Sequence, residues 1–303
     1  MKSVLAICLS PTFQRIMVFK EFHEDQVNRS GEILELASGK GINVSRVLNN
    51  LGRPCTNLIQ LGGERVNQFL ALCEKDGLSV RYLPVKAEIR TCTTIINSEK
   101  HTSTELVEES RTVESSDSER LFDLFLQELP KHDAVVITGT KAAGFAADLY
   151  PRMVRECRKN NIMTVLDIKG QELKECLKEH PSIIKPNLSE LCATYLPNVR
   201  VFENSDDSFV MDDVAAILKE IYETYGACSV ITRGKNDTWI YDGQSFKTVC
   251  HKIKLPVVNT IGCGDTLTAA MTHKLLEGQS LAESVQYGME CATIKASRLG
   301  QGI

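Results

Sequence analysis

Residues 259–271, with the sequence NTIGCGDTLTAAM, combine the residue types that phosphoryl transfer requires. Gly262 and Gly264 flank Cys263 and let the backbone turn tightly beside a ligand, directly before a helix-like pattern. The first amides of a helix lack internal partners, so they can bind an anion, most often a phosphate. Asp265 would repel that anion, which indicates that its carboxylate takes a proton from a hydroxyl. A plain helix N-terminus is the other interpretation of this string.

A second glycine pair lies in SGKGINVSR, residues 38–46. Gly39 and Gly41 flank Lys40 just before another helix-like pattern. This arrangement predicts either a tight strand-to-helix turn with a solvated lysine, or a second anion site where the backbone approaches a polyhydroxyl ligand closely.

The segment KPNLSEL, residues 185–191, can cap a helix or support a metal ion. Asn187 and Glu190 are three residues apart and therefore share one face at a helix start. An N-cap followed by a first-turn acid is one interpretation. Outer-shell support for Mg²⁺ and its waters is the other, because magnesium uses few protein oxygens.

Two arginines, Arg29 and Arg90, lie in segments that do not follow the pattern of the rest of the chain. These segments, 12–35 and 88–110, contain period-2 stretches that predict a small β appendage. Each arginine alone reads as a surface residue. Together, the two guanidinium groups could bind a substrate phosphate in fork geometry.

Short apolar runs alternate with longer amphipathic stretches along most of the chain. Five runs predict buried strands: 3–9, 134–139, 163–167, 182–187 and 228–234. Four stretches predict helices: 41–52, about 119–129, 145–160 and 212–225. This alternation predicts a mostly parallel sheet with helices on both faces and ligands beyond the carboxyl ends of the strands. Asp167, Asn187 and Gly234 are expected at that edge.

The composition excludes several classes of function. A net charge of -4 argues against a nucleic-acid surface, and neither the six histidines nor the cysteines have zinc-site spacing. The 11 scattered cysteines indicate buried thiols in a reducing compartment, and the short N-terminal apolar run cannot span a membrane. We expect a soluble cytoplasmic protein with no membrane partner. Its 303 residues predict a large domain (1–11, 36–87 and 111–303) and a β lid (12–35 and 88–110).

In this order, the motifs resemble the ribokinase-like sugar kinases of the phosphofructokinase B branch. The stretch GKGINVSRVLNNLG (39–52) is similar to the N-terminal motif of that branch, and residues 259–271 are similar to its C-terminal motif. Six shorter strings fall in the expected order: VNR (27–29), IRT (89–91), TEL (104–106), TGT (138–140), DIKGQEL (167–173) and KPNLSEL (185–191). The VNR and GKGINV forms are most similar to the 1-phosphofructokinase and tagatose-6-phosphate kinase groups.

The resemblance implies a ribokinase-like α/β fold and an ATP- and Mg²⁺-dependent kinase. The implied acceptor is a ketohexose phosphate (fructose 1-phosphate, tagatose 6-phosphate or fructose 6-phosphate), and the products are a bisphosphate and ADP. The implied catalytic residues are Asp265, Gly262, Cys263 and Gly264. The implied substrate-binding residues are Gln14, Arg29, Gly39, Lys40, Asn43, Arg90 and Thr138. The implied nucleotide-binding residues are Lys185, Asn187, Thr232, Gly234, Cys291 and Lys295. Asn187 and Glu190 would hold Mg²⁺ through water, and the lid would close over the site and could mediate a homodimer.

Three features depart from the family pattern. Gln14 stands where the family has a sugar-binding aspartate, so a charge-assisted bond is lost. Lys141, in TGTKA, adds a cation near the substrate edge. The sequence stops at Ile303, about one helix earlier than expected, which bears on closure of the nucleotide pocket. Two alternatives therefore remain: a kinase for a plain sugar or nucleoside, and a non-catalytic sugar-phosphate sensor.

Overall fold

The computed structural model describes residues 1–201 and 207–300. Ile303 and the residues beside it lie outside the described residues. Thirteen strands are present in the described part: β1 (Val4–Cys8), β2 (Thr12–Phe19), β3 (Glu32–Ser38), β4 (Cys55–Gly62), β5 (Ser79–Val85), β6 (Arg90–Asn97), β7 (Thr102–Val107), β8 (Ala134–Thr138), β9 (Met163–Asp167), β10 (Ile183–Ile184), β11 (Cys228–Arg233), β12 (Asn236–Tyr241) and β13 (Phe246–Val249). All five strands predicted from apolar runs are confirmed.

The same described residues form nine α-helices: α1 (Lys40–Asn50), α2 (Val66–Lys75), α3 (Asp117–Glu128), α4 (Leu149–Lys159), α5 (Gly170–Leu177), α6 (Leu188–Tyr195), α7 (Met211–Tyr225), α8 (Cys263–Leu276) and α9 (Leu281–Ala296). The four helices predicted from periodicity are confirmed as α1, α3, α4 and α7. The apolar positions of this segment, Val44, Val47, Leu48 and Leu51, lie on one face, and the first three are buried while Leu51, directly after α1, is partly buried.

The large sheet has the order β13-β12-β11-β10-β9-β8-β1-β4-β5. Its strands run parallel from β11 to β5, and only β12 and β13 add antiparallel pairs at one edge. Alternate side chains of β1 enter opposite cores: Leu5 and Ile7 pack with α3 to α7, whereas Val4 and Ala6 pack with α1, α8 and α9. Helices therefore cover both faces of a mostly parallel sheet, as the alternation predicts.

A small four-stranded sheet has the order β3-β2-β6-β7. Its strands come from the two segments that break the alternation, with β2 parallel to β6 and antiparallel to β3. Strand β3 runs to Ser38 and leads directly into the turn before α1. The small sheet therefore joins the large one at the start of the helix that carries Lys40 and Asn43.

Two expectations from the sequence concern disulfide bonds between the cysteines and helices that span a membrane. All 11 cysteines lie in described residues, and none forms a disulfide bond. Seven of them, including Cys8, are buried, Cys55, Cys228 and Cys263 are partly buried, and Cys250 is exposed, so the expected burial holds for most of the thiols. In the part of the chain that the structure describes, no helix combines the length and the apolar character needed to cross a bilayer.

Candidate active site

A cavity of about 170 Å³ lies at the carboxyl edge of the large sheet. It sits where β1, β8 and β9 end, between the start of α1 and the first residue of β6. Its lining among the described residues is Cys8, Ser10, Lys40, Arg90, Thr138, Gly139, Thr140, Asp167, Ile168, Lys169, Glu172 and Glu190. Four of the residues predicted for the site thus come together around one space: Lys40, Arg90, Thr138 and Glu190.

Asp167, at the end of β9, is the centre of the site's charge network. Its carboxylate oxygens lie 3.6 Å from the Lys40 ammonium and 3.3 Å from the Lys185 ammonium. Thr138 and Thr268 hydroxyls donate to it at 3.3 and 3.4 Å. Burial opposes its ionisation, but the two ammonium groups, together with hydrogen bonds from Lys185 and Thr138, outweigh burial and hold the pKa of Asp167 below its usual range.

Sequence reasoning placed Asp167 at the ligand edge but gave it no role in the site. The available signal was its position as the last residue of a buried parallel strand, which commonly points to a functional edge. The same carboxylate raises the pKa of Lys40, so this lysine, which was open to interpretation as a solvated side chain, stays charged beside the cavity.

Asp265, in the first turn of α8, is 5% exposed. Its Oδ2 accepts a hydrogen bond of 2.8 Å from the side-chain amide of Asn43. Burial raises the pKa of Asp265 to about 6, and repulsion by Asp167 acts in the same direction, while Lys40, Lys185 and the Asn43 bond oppose the rise. The carboxyl group is thus ionised at neutral pH but is a much better proton acceptor than an ordinary aspartate.

The turn that precedes α1 requires its glycines for steric reasons. Gly39 has φ of 120°, and a Cβ there would lie 2.6 Å from the Cys8 sulfur. A Cβ on Gly41 would lie 2.8 Å from the carbonyl oxygen of Ile7. The glycine pair therefore lets the start of α1 pack directly on β1, which brings Lys40 to the cavity.

The glycine turn before α8 has the conformation expected of an anion site. Gly262 is left-handed with φ of 84°, and the helix begins at Cys263. The Cys263 amide donates to the Thr260 carbonyl at 3.2 Å. Among the described residues, the amide of Gly264 has no hydrogen-bond acceptor, so it remains a donor for a ligand.

Asn187 and Glu190 form a capping box at the start of α6. Asn187 Oδ1 accepts from the Glu190 amide at 2.8 Å, and Glu190 Oε2 accepts from the Asn187 amide at 3.0 Å. The second carboxylate oxygen of Glu190 lies 3.9 Å from the Lys169 ammonium, and this glutamate lines the cavity. Capping leaves one acidic oxygen available to a metal-bound water.

Metal ligands are sparse around the site. Across residues 1–201 and 207–300, no group of three or more His, Cys, Asp or Glu side chains could hold a metal ion. The Glu190 carboxylate oxygen in the cavity wall is the kind of donor that a hydrated Mg²⁺ ion uses.

The two arginines predicted to grip a phosphate lie in different surroundings. Arg90 opens β6 and lines the cavity, and its Nη1 donates to the Glu108 carbonyl at 2.7 Å. Its buried Nε has no hydrogen-bond partner among the described residues, so the guanidinium retains a desolvated donor. Arg29 lies in the exposed connection between β2 and β3 and is outside the set of described residues that line the cavity.

The two departures near the substrate edge have local partners. Gln14 is 2% exposed, and its Nε2 donates to the Thr94 hydroxyl at 2.8 Å within the small sheet. Lys141 pairs with Glu172, a residue of the cavity wall, and lies over the ring of Tyr150. The positive charge of Lys141 is therefore balanced at the cavity edge.

The residues predicted to bind the nucleotide lie at the ends of β10 and β11 and on α9. Thr232 forms an isolated bridge to Asn187, and Gly234 lies in the exposed turn between β11 and β12. Cys291 is 4% exposed on α9. Lys295 is fully buried, and its ammonium donates to the Asn259 carbonyl at 3.0 Å, so it holds the segment that leads into the glycine turn.

The chain matches the model of the pfkB family of carbohydrate kinases over residues 5–303. It is 28% identical over 282 residues to the tagatose-6-phosphate kinase of Staphylococcus epidermidis, which covers 91% of this chain and 86% of that protein. It is 27% identical over 293 residues to the 1-phosphofructokinase of Borreliella burgdorferi, covering 97% and 91%. Its fold is similar to that of phosphofructokinase-2 from Escherichia coli in a tetrameric inhibited form, with a TM-score of 0.84 and 21% identity over 98% of this chain and 94% of that chain.

Proposed function

Because the chain belongs to the pfkB family of carbohydrate kinases, we propose that it transfers the γ-phosphoryl group of ATP to a hydroxyl of a ketohexose phosphate. The products are a ketohexose bisphosphate and ADP. The relatives named tagatose-6-phosphate kinase and 1-phosphofructokinase support a phosphorylated ketose as the acceptor. Fructose 1-phosphate, tagatose 6-phosphate and fructose 6-phosphate are the acceptors to be compared.

The observation that carries this proposal is the setting of Asp265. A buried carboxylate with a pKa of about 6 stands in the first helical turn after a glycine pair, where a base and an anion site are both required. A protein that only bound sugar phosphates would have no use for such a base. Asp265 is not among the described residues that line the cavity, but it interacts electrostatically with Lys40 and Asp167, which do line it. The Lys40 and Arg90 side chains in the cavity wall suit an anionic substrate.

In the proposed mechanism, Asp265 takes the proton from the acceptor hydroxyl. The oxygen's electron pair forms the new bond to the γ-phosphorus while the bond between that phosphorus and the ADP oxygen breaks. The Gly264 amide and the helix start stabilise charge on the moving group, with Gly262 setting the turn. Lys40 stays protonated because Asp167 raises its pKa, so it adds a fixed positive charge nearby.

The remaining contacts follow the resemblance. Gly39, Asn43 and Thr138 hold the sugar, and Gln14 sets its preference from the small sheet. Thr232, Gly234 and Lys185 face the nucleotide phosphates, and the adenine lies near 291–295. Asn187 and Glu190 would hold Mg²⁺ through water, and the ion would neutralise charge on the ATP phosphates.

The small sheet serves as a lid in this proposal, with 12–35 and 88–110 closing over the cavity to exclude water. Ile33, Leu106 and Val107 are apolar and about half exposed on its strands, which favours a homodimer through this sheet.

The test is ADP release with ATP and Mg²⁺ across fructose 1-phosphate, fructose 6-phosphate, tagatose 6-phosphate, fructose and ribose. Turnover on one phosphorylated ketose is the expected result and identifies the acceptor. Turnover only on a plain sugar would replace this proposal with the plain-sugar kinase. Thermal stabilisation by one sugar phosphate without any turnover would instead indicate a sensor.

The pH dependence of kcat/KM should show an acid limb near pH 6. Asp265 has a raised pKa of about 6 in the ligand-free protein, so lowering the pH through that value protonates the base. Below it we expect kcat/KM to fall about tenfold for each pH unit. Circular dichroism at each pH serves as the control for folding. A profile that stays flat well below pH 6 would contradict the assigned base.

Arg90→Ala should raise KM for a phosphorylated ketose more than for its unphosphorylated form. The unpartnered Nε is a buried donor that a phosphate oxygen can satisfy, and a plain hydroxymethyl group has no such charge. We expect about a tenfold or larger difference between the two effects, the size of one hydrogen bond to a charged group. Arg158→Ala, at an exposed position of α4, is the comparison variant. Equal effects of Arg90→Ala on both sugars would remove its phosphate contact.

A further inference from the structure

Arg46 is a buried arginine that the proposed mechanism does not use. It is 5% exposed and lies on α1, one helical turn after Asn43. Its Nη1 donates to Asn43 Oδ1 at 3.1 Å, and its Nη2 donates to the Ala37 carbonyl at 2.6 Å. Nε and Nη2 both donate to Asp76 Oδ2, at 2.9 and 2.8 Å. The guanidinium is therefore fixed from three directions.

These bonds determine which way the Asn43 amide faces. A guanidinium group has donors only, so the atom of Asn43 that meets it must be the carbonyl oxygen. The Ser38 hydroxyl donates to the same oxygen at 3.0 Å. The NH₂ end of Asn43 consequently faces Asp265 and donates to its Oδ2 at 2.8 Å.

We propose that Arg46, held by Asp76, is a positioning residue that fixes the amide of Asn43 so that it donates to Asp265. The inference rests on the proposed function, in which Asp265 is the base. The bond occupies Oδ2 and leaves Oδ1 of the carboxylate for the substrate proton. A reversed amide would place two acceptors together and would hold a proton on Asp265.

The other charged groups that act on Asp265 come from different elements. Lys40 lies at the start of α1, Asp167 ends β9, Lys185 follows β10, and Lys295 acts from α9. None of them is among the hydrogen-bond partners of Arg46 in the described structure. A substitution at position 46 leaves these four charges in place, so it reaches Asp265 through Asn43 and through the loss of the Arg46 charge itself.

The experiment compares Arg46→Met with the unsubstituted chain in two measurements. The first is the acid limb of kcat/KM, which should move up by about one pH unit when the amide is released. Activity should then fall about tenfold at pH 5 and change little at pH 8.5. The second is the titration of the Asp265 carboxyl carbon by NMR in the ligand-free protein, assigned by its loss in Asp265→Asn.

Arg53→Met is the matched control. Arg53 is also 5% exposed, but it bonds to His273 and to the Lys2 carbonyl, away from Asn43. It should leave the titration midpoint unchanged even if it lowers stability. Arg46→Lys keeps a positive charge at position 46, so it separates lost positioning from lost charge, and it also replaces Arg46→Met if that variant does not fold. A lysine can pair with Asp76 but cannot reproduce the fork, so a smaller shift in the same direction is expected.

An unchanged midpoint in the folded position-46 variant would overturn the inference, and so would an equal shift in Arg53→Met. The NMR titration separates this inference from the proposed function. A shifted carboxyl titration in a protein that phosphorylates no sugar would refute the kinase proposal and retain the positioning role. Turnover with an unshifted titration would refute the positioning role alone.

Discussion

Asp265→Asn should lower kcat by about three or more orders of magnitude, at the upper end of what general acid–base groups contribute. The amide keeps the shape of the side chain and can still accept the bond from Asn43, but it cannot take a proton from the acceptor hydroxyl. ATP binding should persist, because no other part of the site changes. The measurement is kcat by coupled ADP release, with nucleotide affinity from calorimetry.

The substitution should not unfold the protein. Burial and repulsion by Asp167 raise the pKa of Asp265, which means that its ionised form is disfavoured in the folded state. Removing that charge is therefore neutral or stabilising near neutral pH. Asp123→Asn, on an exposed position of α3, is the control for the chemistry of the substitution. Near-normal turnover in Asp265→Asn would show that another group is the base.

Local patterns account for the parts of the fold that the sequence predicted. Strands such as Ala134–Thr138 and helices such as Lys40–Asn50 follow from apolar periodicity over a few residues. The two tight turns at the glycines were also predicted from the sequence. Gly39 and Gly262 have φ values of 120° and 84°, which residues with a Cβ rarely adopt. The sequence also predicted part of the cavity wall, because parallel strands bring their carboxyl ends to one edge of the sheet.

Long-range partners could not be read in the same way. Asn43 and Asp265 are 222 residues apart, and their hydrogen bond depends on how α1 and α8 pack. Sequence reasoning gave Arg46 no role, yet it is buried and reaches Asp76 thirty residues away. Periodicity assigns such a residue to a helix face, but it does not identify what the neighbouring element supplies there.

Gln14 and Lys141, the two departures from the family pattern near the expected substrate, show the same limit of local patterns. Lys141 read as an added cation near the substrate, but its charge is matched by Glu172 from α5. Gln14 read as a sugar contact, and its amide bonds to Thr94 across the small sheet. In both cases the side chain's partner comes from a separate segment. The chemistry that each position presents to a ligand therefore depends on a contact that only the folded chain creates.

Asp167→Asn should destabilise the fold by about 3 kcal/mol, the lower part of the range for breaking a buried ion pair. Asp167 and Lys185 have side chains 3% and 2% exposed and 3.3 Å apart, so the substitution leaves an ammonium group without its nearest counter-charge. Asp265 also attracts Lys185, which limits the loss. Lys40 is 42% exposed and can turn towards water. The measurement is the free energy of unfolding in urea at pH 7.5.

The double variant Asp167→Asn/Lys185→Met should recover much of that stability, because it removes both charges and leaves no buried ion without a partner. Glu223→Gln breaks the exposed pair with Lys219 and should cost only about 0.3–0.5 kcal/mol, as helix-surface pairs do. If Asp167→Asn cost no more than this control, the Lys185 charge would have to be solvated. Asp167 would then contribute charge to the cavity without stabilising the strand ends beneath it. A large loss that the double variant reverses would instead mean that the charges presented to the substrate also fix the ends of β9 and β10 beneath it.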